Sequence, residues 1–371
     1  MDFSMQPRRR GLNCRCAGTY SSGMDPTGTA TSRPARNKKW RLFRAWAGGH
    51  PVWCAWQVTY RCNFRCRFCG YWHDPLGRRP EPGVADYAAG ADKLARLGTL
   101  LISLAGGEPM LREDLPELVR VIGRHHFPFV TTNGWFVTPD SARELMRAGA
   151  WGVSVSIDYA DPARHDERRG MPGAWRQAWR AVELLSEARV HKWQRVNVIA
   201  VLMDDNIDDM EPLLAMAAKR NAYFMVQPYG HRKINSRAYA HNDGAVSPRL
   251  LALHRRWPNF LSNPDYLSRF DTFLHGGVPG CRAGKAFFNI DSTGDIAICV
   301  EQKDRPVANL YRDDVRDILR RLRMAARGNT CRDCWYNCRG EIESLYRPGG
   351  LLASLPTLLF DRGAAAARPQ R

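Results

Sequence analysis

No run of 18 or more apolar residues occurs in this 371-residue chain, so no stretch reads as a membrane-spanning helix. The basic triplet Arg8–Arg10 is followed by no apolar segment, and the N-terminus does not read as a secretory signal. Acidic residues are scarce relative to basic ones: 37 Asp and Glu face 55 Lys and Arg, a net charge of +18. The first 50 residues carry ten Lys and Arg and two Asp, hence +8 of that total. Much of the basicity therefore lies outside any core, which weakens the reading of a nucleic-acid-binding surface. Residues 1–37 are rich in Gly, Ser, Thr, Pro and Arg with little to bury, so this tract is expected to be unstructured, and Cys14 and Cys16 within it are read as incidental. The last scarcity is local: the segment Val58–Trp72 packs three cysteines and lacks a fourth.

Those three are Cys62, Cys66 and Cys69, spaced CxxxCxxC. Soft thiolates at this density suit three corners of a cubane iron–sulfur cluster, with the fourth iron open to a non-protein ligand. A zinc site would need a fourth ligand, for which His73 is the local candidate; three buried thiols are the other alternative. All told the chain has eleven cysteines. A disulfide framework suits a much smaller secreted protein, and ligand-like clustering instead points to metal in a reducing, cytoplasmic compartment.

From residue 52 onward strand-like and helix-like stretches alternate. The apolar runs are Trp53–Tyr60, Thr99–Leu104, Phe127–Thr132, Trp151–Ile157, Val196–Met203 and Ala222–Gln227. Helical patterns fall at about 83–97, 114–125, 139–148, 174–189 and 208–220, with Thr138-Pro139 as an N-terminal cap and Gly98 and Gly149 as C-terminal stops. Apolar strands alternating with helices indicate a parallel sheet covered on both faces. In such barrels the functional residues cluster at the C-terminal strand ends. There lie the cysteine loop, Ala105-Gly-Gly-Glu-Pro109, Thr131-Thr-Asn-Gly134 and Ser154-Val-Ser-Ile-Asp158, with Asn197 inside the fifth strand and Gln227 ending the sixth.

At this point the chain resembles the radical S-adenosylmethionine (radical SAM) superfamily. The CxxxCxxC loop after strand one with Phe68 before its last cysteine, Gly-Gly-Glu-Pro after strand two and His165-Asp-Glu-Arg-Arg-Gly170 after strand four carry the likeness. The resemblance implies an α/β fold, a partial six-unit (β/α) TIM-like barrel, with a [4Fe–4S] cluster on Cys62, Cys66 and Cys69 and SAM chelating the open iron. It implies that Phe68 lies near the adenine, that Gly106, Gly107 and Glu108 meet the methionine amino group, that Ser156 and Asp158 contact ribose or carboxylate, and that Arg169 belongs to the SAM shell. Asn133 is read as a SAM-site residue or a turn stabiliser. Reductive cleavage of SAM would give a 5′-deoxyadenosyl radical that takes a hydrogen atom from a substrate, with an electron donor such as flavodoxin or ferredoxin as partner.

Beyond residue 230 the alternation stops. Cys281, Gly294 and Cys299 frame Phe287–Ile298, which reads as a β-hairpin turning at Ser292-Thr-Gly-Asp295, and Cys331, Cys334 and Cys338 follow. This resembles the C-terminal SPASM or twitch extension of radical SAM enzymes. The resemblance implies one auxiliary [4Fe–4S] cluster on Cys281, Cys299, Cys331 and Cys334, with Cys338 an alternate ligand or a spare; a structural zinc ribbon is the competing reading. The expected layout is a basic, largely disordered segment over 1–50, the barrel over 51–235, a linker over 236–280, a small hairpin-and-helix cluster domain over 281–345 and a tail over 346–371. Lys38–Trp46 is basic and aromatic, suited to packing on the domain or to peripheral membrane contact. Leu351–Phe360, broken by Pro356, reads as a docking tail. Tyr229, His231, Arg232 and Lys233 follow strand six and are read as a solvated loop, with a substrate-facing role as the alternative. The substrate stays open between peptide, small molecule and lipid, and the 50 residues before the barrel look too short for a leader-binding domain. The rival class is a zinc- or Fe–S-containing nucleic-acid binder, which would show strongly salt-dependent binding.

Overall fold

The computed structural model describes residues 33–98, 100–240 and 244–359. Helix α1 (Arg33–Ala47) precedes the sheet. There follow β1 (Trp53–Thr59), α2 (Val84–Leu94), β2 (Leu101–Gly106), α3 (Leu115–Gly123), β3 (Phe127–Thr132), α4 (Pro139–Arg147) and β4 (Gly152–Ser156). Helices α5 (Pro162–Arg169) and α6 (Ala174–Glu187), β5 (Arg195–Leu202), α7 (Met210–Lys219) and β6 (Tyr223–Pro228) complete six parallel strands. The expected strands and helices fall within a few residues of these; Thr99, the expected start of the second strand, lies outside the described residues. Helix α5 was not anticipated. It begins at the Asp161 cap and is strongly polar, so it lacks the apolar stripe by which helices are read from sequence.

The sheet does not close. Its order is β6-β5-β4-β3-β2-β1, continued by β7 (Phe287–Ile290), β8 (Asp295–Ala297) and β9 (Ala308–Asn309) once the chain has passed through α8 (Val246–Arg256), α9 (Pro264–Leu267) and α10 (Phe270–Leu274). The hairpin expected over Phe287–Ile298 is therefore present, with Asp291 Oδ1 accepting the Thr293 and Asp295 N–H groups at 2.8 and 2.9 Å and Gly294 in the left-handed region at φ 85°. Its first strand, however, pairs parallel with β1, Trp53 opposite Phe287 through Trp56 opposite Ile290. The expected separate cluster domain is thus an extension of the barrel sheet. Likewise the expected linker over 236–280 holds three helices.

Helices α11 (Val315–Arg327), α12 (Asn337–Ser344) and α13 (Pro348–Leu359) end the described chain. Helix α12 packs on β1 and β7. Tyr266 of α9 ties it to the far edge, its hydroxyl reaching the Val226 and Trp335 carbonyls, both at 3.2 Å, and Asn337 Oδ1 at 2.9 Å. Side chains of α12 thereby cover the side of the barrel that the strands leave open. Helix α13 docks through Asn263 Nδ2, which donates to the Gly350 carbonyl at 2.9 Å and to Ser354 Oγ at 2.8 Å.

The unstructured reading of residues 1–37 is corrected at its end, because α1 starts at Arg33; residues 1–32, with Cys14 and Cys16, lie outside the described residues. Lys38 Nζ donates to the Gly123 carbonyl at 2.8 Å, and Arg41 Nη2 to the Ala95 carbonyl at 2.8 Å. Both acceptors are carbonyls at helix C-terminal ends, where cations are favoured. Ala45 is buried against Gly98. A short helix that is polar by composition is thus fixed by tertiary contacts, and its Lys39 and Leu42 form part of the wall of the barrel cavity. Trp40 and Phe43 stack at 5.5 Å and stay exposed on its outer face. Among the described residues no helix is long and apolar enough to cross a membrane.

Candidate active site

A cavity of about 890 Å³ runs through the barrel, bordered at one end by Cys62, Cys66, Cys69 and Phe68. Backbone approach shapes that end. The Gly107 and Glu108 N–H groups donate to the Thr59 and Arg61 carbonyls, both at 2.8 Å, clamping the end of β2 onto the start of the cysteine loop. Gly106 has φ 130°, and a Cβ at Gly106 or Gly107 would run into those same carbonyls. That is why two glycines stand here.

Glu108 is buried, and burial pushes its carboxyl pKa up against the pull of its donors. Oε1 accepts from the Thr132 hydroxyl at 2.7 Å and the Met110 N–H at 3.0 Å, and Oε2 from the Asn133 N–H at 2.7 Å. Asn133 in turn donates from Nδ2 to Asn63 Oδ1 at 2.8 Å and accepts the Trp135 N–H at 2.9 Å. It therefore links the end of β3 to the residue beside Cys62 as well as holding its own turn.

The resemblance implies that Asp158, like Ser156, contacts ribose or carboxylate. Asp158 is fully buried and is absent from the cavity lining, whereas Ser156 and Arg169 border it. Asp158 Oδ2 holds Arg169 Nε and Nη2 at 2.8 and 2.7 Å, and Oδ1 accepts the Val201 N–H at 2.9 Å. The carboxylate is spent on aiming the guanidinium, which lies 5.3 Å from the Phe68 ring centroid. His165 accepts the Asp158 N–H at Nδ1, 3.2 Å away, and burial holds its pKa well below the usual range, so it stays a neutral acceptor. The loop is further braced by the Arg67 N–H donating to the Arg168 carbonyl at 3.1 Å. Burial pushes the Cys62 thiol up to about 11 and Cys66 up to about 12, while Arg169 pulls both down. Thiols in such surroundings need a bound metal to be held as thiolates.

The later cysteines also converge. Cys281, Cys299, Cys331 and Cys334 line one small void, while Cys338 borders the barrel cavity. Cys334 is raised first by burial and then by the nearby Cys338, Cys281 and Cys299, so the fifth cysteine is a neighbour of the group. A fully buried Arg339 braces the site. Its Nη1 donates to the Cys334 carbonyl at 2.9 Å, Nη2 to the Val278 carbonyl at 2.6 Å, and Nε to Glu343 Oε1 at 3.0 Å. The thiols are spaced around voids, and among the described residues no three His, Cys, Asp or Glu side chains close on a single ion. Several sulfur donors brought together are a donor set that iron–sulfur clusters take.

Of the remaining cavity residues, Glu341 and Gln57 escaped the sequence, whereas Asn197 was singled out and Tyr229 and Lys233 carried a substrate-facing role as the alternative. Glu341 of α12 borders the cavity, accepts the Asn263 N–H at 3.1 and 3.3 Å and the Ser262 hydroxyl, and is pushed up to about 7 by burial. Gln57 Oε1 and Asn197 Oδ1, on buried side chains of the same cavity wall, have no partner. Lys233 and Tyr229, read as a solvated loop, border the cavity: Tyr229 is buried and Lys233 is half-buried. Arg232 is exposed and paired with Asp333 at 2.8 Å. Only tertiary placement distinguishes these residues, apart from the polar Asn197 that breaks an apolar strand.

A partial barrel with three thiols, a glycine clamp and a guanidinium at one mouth offers sulfur donors for a metal cluster beside polar groups suited to a carboxylate-bearing cofactor. Residues 56–217 match the family model of the radical SAM superfamily, and this part of the chain is a radical SAM domain. The protein is an enzyme whose cofactors are a [4Fe–4S] cluster and SAM, with an auxiliary-cluster region; the nucleic-acid-binding alternative is set aside. The chain is 26% identical over 316 residues to mycofactocin maturase MftC of Mycolicibacterium smegmatis, spanning 78% of this chain and 77% of that protein. It is 36% identical over 140 residues to the AdoMet-dependent heme synthase of Oleidesulfovibrio alaskensis, a match covering 37% of this chain and 35% of that protein's length. Among solved structures, Streptococcus suis SuiB bound to S-adenosylmethionine superposes with TM-score 0.59 at 18% identity, covering 72% and 65% of the two chains. The peptide- and AdoMet-bound anSMEcpe superposes with TM-score 0.59 at 15% identity, covering 83% and 98%. These structural likenesses establish the fold.

Proposed function

We propose that the enzyme oxidises or cross-links a side chain of a peptide substrate held in the barrel cavity. The observation that carries this is the single cavity shared by the Cys62–Cys69 loop, Arg169 and Glu341. Two relatives support the peptide class: one, matched over 77% of its length, is named a maturase, and PqqA peptide cyclase matches over 48% of this chain and 48% of its own. In this reading Cys62, Cys66 and Cys69 hold the cluster, and Phe68, Gly106, Gly107, Glu108, Ser156 and Arg169 surround SAM, with Asp158 and Asn133 positioning them. Cys281, Cys299, Cys331 and Cys334 hold the auxiliary cluster, and Cys338 faces the cavity. Bound there, the cluster and SAM supply a 5′-deoxyadenosyl radical that removes a substrate hydrogen atom. Gln57 Oε1 and Asn197 Oδ1 accept hydrogen bonds from the substrate. When the substrate radical is oxidised, Glu341 would take at an Oε atom the proton that a hydroxyl or amide loses, and the remaining electron would pass to the auxiliary cluster; a carboxyl pushed up to about 7 is matched to that task. The partner is a one-electron donor of flavodoxin or ferredoxin type, and the unpaired thiols suit a reducing, cytoplasmic setting.

Anaerobic protein with dithionite and SAM should release 5′-deoxyadenosine. With a short peptide encoded beside its gene, carrying deuterated side chains, deuterium should appear in the deoxyadenosine by mass spectrometry. Release without deuterium from any such peptide would remove the peptide class and leave the family chemistry standing.

Glu341→Gln gives a second check, on stability. The folded pKa is about 7 against an ordinary 4.5, so between those values the folded chain binds more protons than the unfolded one. Stability attributable to this group therefore falls as pH rises from 4.5 to 7 and stays low above it. The amide removes a burden on the order of 3 kcal/mol at pH 8. The difference in Tm between variant and parent should grow from near zero at pH 5 to several degrees at pH 8; a flat difference would refute the buried, raised carboxyl. Substrate turnover should fall in the same variant.

A further inference from the structure

The side chain of Lys233 lies among three residues from three different cysteine-bearing segments. Its Nζ is 3.2 Å from Glu301 Oε1, 3.5 Å from the Tyr71 hydroxyl, and 4.7 and 5.4 Å from the ring centroids of Tyr71 and Tyr336. Tyr336 closes the group by donating its hydroxyl proton to Glu301 Oε1 at 2.9 Å. Each partner stands two residues from a cysteine: Tyr71 after Cys69, Glu301 after Cys299, and Tyr336 between Cys334 and Cys338. The backbone is cut to fit. A Cβ at Gly70 would press on the Lys233 carbonyl at 2.7 Å, and a Cβ at Gly230 would strike the Tyr336 ring. Lys233 lines the same cavity as Cys62, Cys66, Cys69 and Cys338, and its charge acts on Cys69 and on Cys338. On Cys338 it is the strongest charge, ahead of the opposing Glu301.

We propose that Lys233 is a positioning residue common to both iron–sulfur sites, an ammonium that raises the reduction potentials of the radical SAM cluster and the auxiliary cluster together. Reduction adds one electron to a cluster, and a fixed cation in a low-dielectric interior favours the more negative state. Two tyrosine faces and one carboxylate keep the cation in place, with 24% of the Lys233 side chain exposed. Glu301 opposes it, so the pair sets the potentials between two bounds. The inference rests on both cysteine groups holding clusters, which iron and sulfide content of the reconstituted protein establishes separately.

The test is an EPR-monitored redox titration of anaerobically reconstituted, full-length protein with dithionite as reductant. Cys66→Ala supplies the auxiliary signal alone and so assigns the two couples. Lys233→Met should make both couples harder to reduce by at least about tenfold in the equilibrium, or about 59 mV for one electron, while Lys233→Arg should restore them. Glu301→Gln, which removes the opposing charge, should shift both the other way; it carries the test if Lys233→Met fails to load iron. A shift of one couple alone, or the same shift for methionine and arginine, would overturn the shared electrostatic role. Iron content showing only one cluster would instead overturn the two-cluster reading.

Discussion

Cys66→Ala is expected to abolish SAM cleavage, with 5′-deoxyadenosine release falling on the order of 10³-fold or more. Cys66 is 9% exposed and sits between the other two thiols of its loop, with Arg169 beside it. With two thiolates left, the cluster has two open corners and no fixed orientation toward the glycine clamp. Iron should drop from about eight to about four atoms per chain, because the auxiliary cysteines are built on other segments. The protein should still fold, since the loop is braced independently through Glu108, Asn133 and Arg168. Retained iron with retained deoxyadenosine release would place the cluster elsewhere.

The largest stability effect is expected at Arg339. Its side chain and that of Glu343 are 0% and 1% exposed. Besides pairing with Arg339, Glu343 Oε1 accepts the Arg282 N–H at 2.8 Å, so the ion pair joins both sides of Cys281 to Cys334. Arg339→Met leaves buried Glu343 with only the more distant Arg347, at 3.8 Å, and the Val278 and Cys334 carbonyls without their Arg339 donor. Removing one member of such a pair costs about 3–5 kcal/mol. Thermal unfolding should show a large drop in Tm, together with loss of the auxiliary iron and retention of the cluster on Cys62, Cys66 and Cys69. Adding Glu343→Gln should recover part of the loss, because the uncompensated charge is then gone. An unchanged Tm would mean that the pair is not buried as described.

The barrel was legible because its strands are apolar on both faces and its helices are punctuated by Thr138-Pro139, Gly98 and Gly149, signals that depend on neighbouring residues alone. The three-cysteine loop was legible for the same reason. What could not be read depends on contacts between distant segments. Lys233 looks like any basic loop residue until Tyr71, Glu301 and Tyr336 are brought around it. Glu341 looks like a surface glutamate on a polar helix, and only the packing of α12 against the barrel places it at the cavity. Asp158 was placed at the right strand end, but the pattern could not tell that its carboxylate turns to Arg169 and away from the cavity. Helix α1 was missed because its composition is that of an unstructured tract, and its order comes from the Gly123 and Ala95 carbonyls.

The pairing of β7 with β1 has a consequence for biosynthesis. Strand β1 leaves the ribosome among the first elements, yet its outer edge, Trp53–Trp56, receives its neighbour only when Phe287–Ile290 has been made. Until then an apolar edge with unpaired backbone groups is open to wrong partners. The auxiliary region thus serves the nascent chain as an edge guard supplied late. This ties folding yield, as well as electron traffic, to the C-terminal third of the protein.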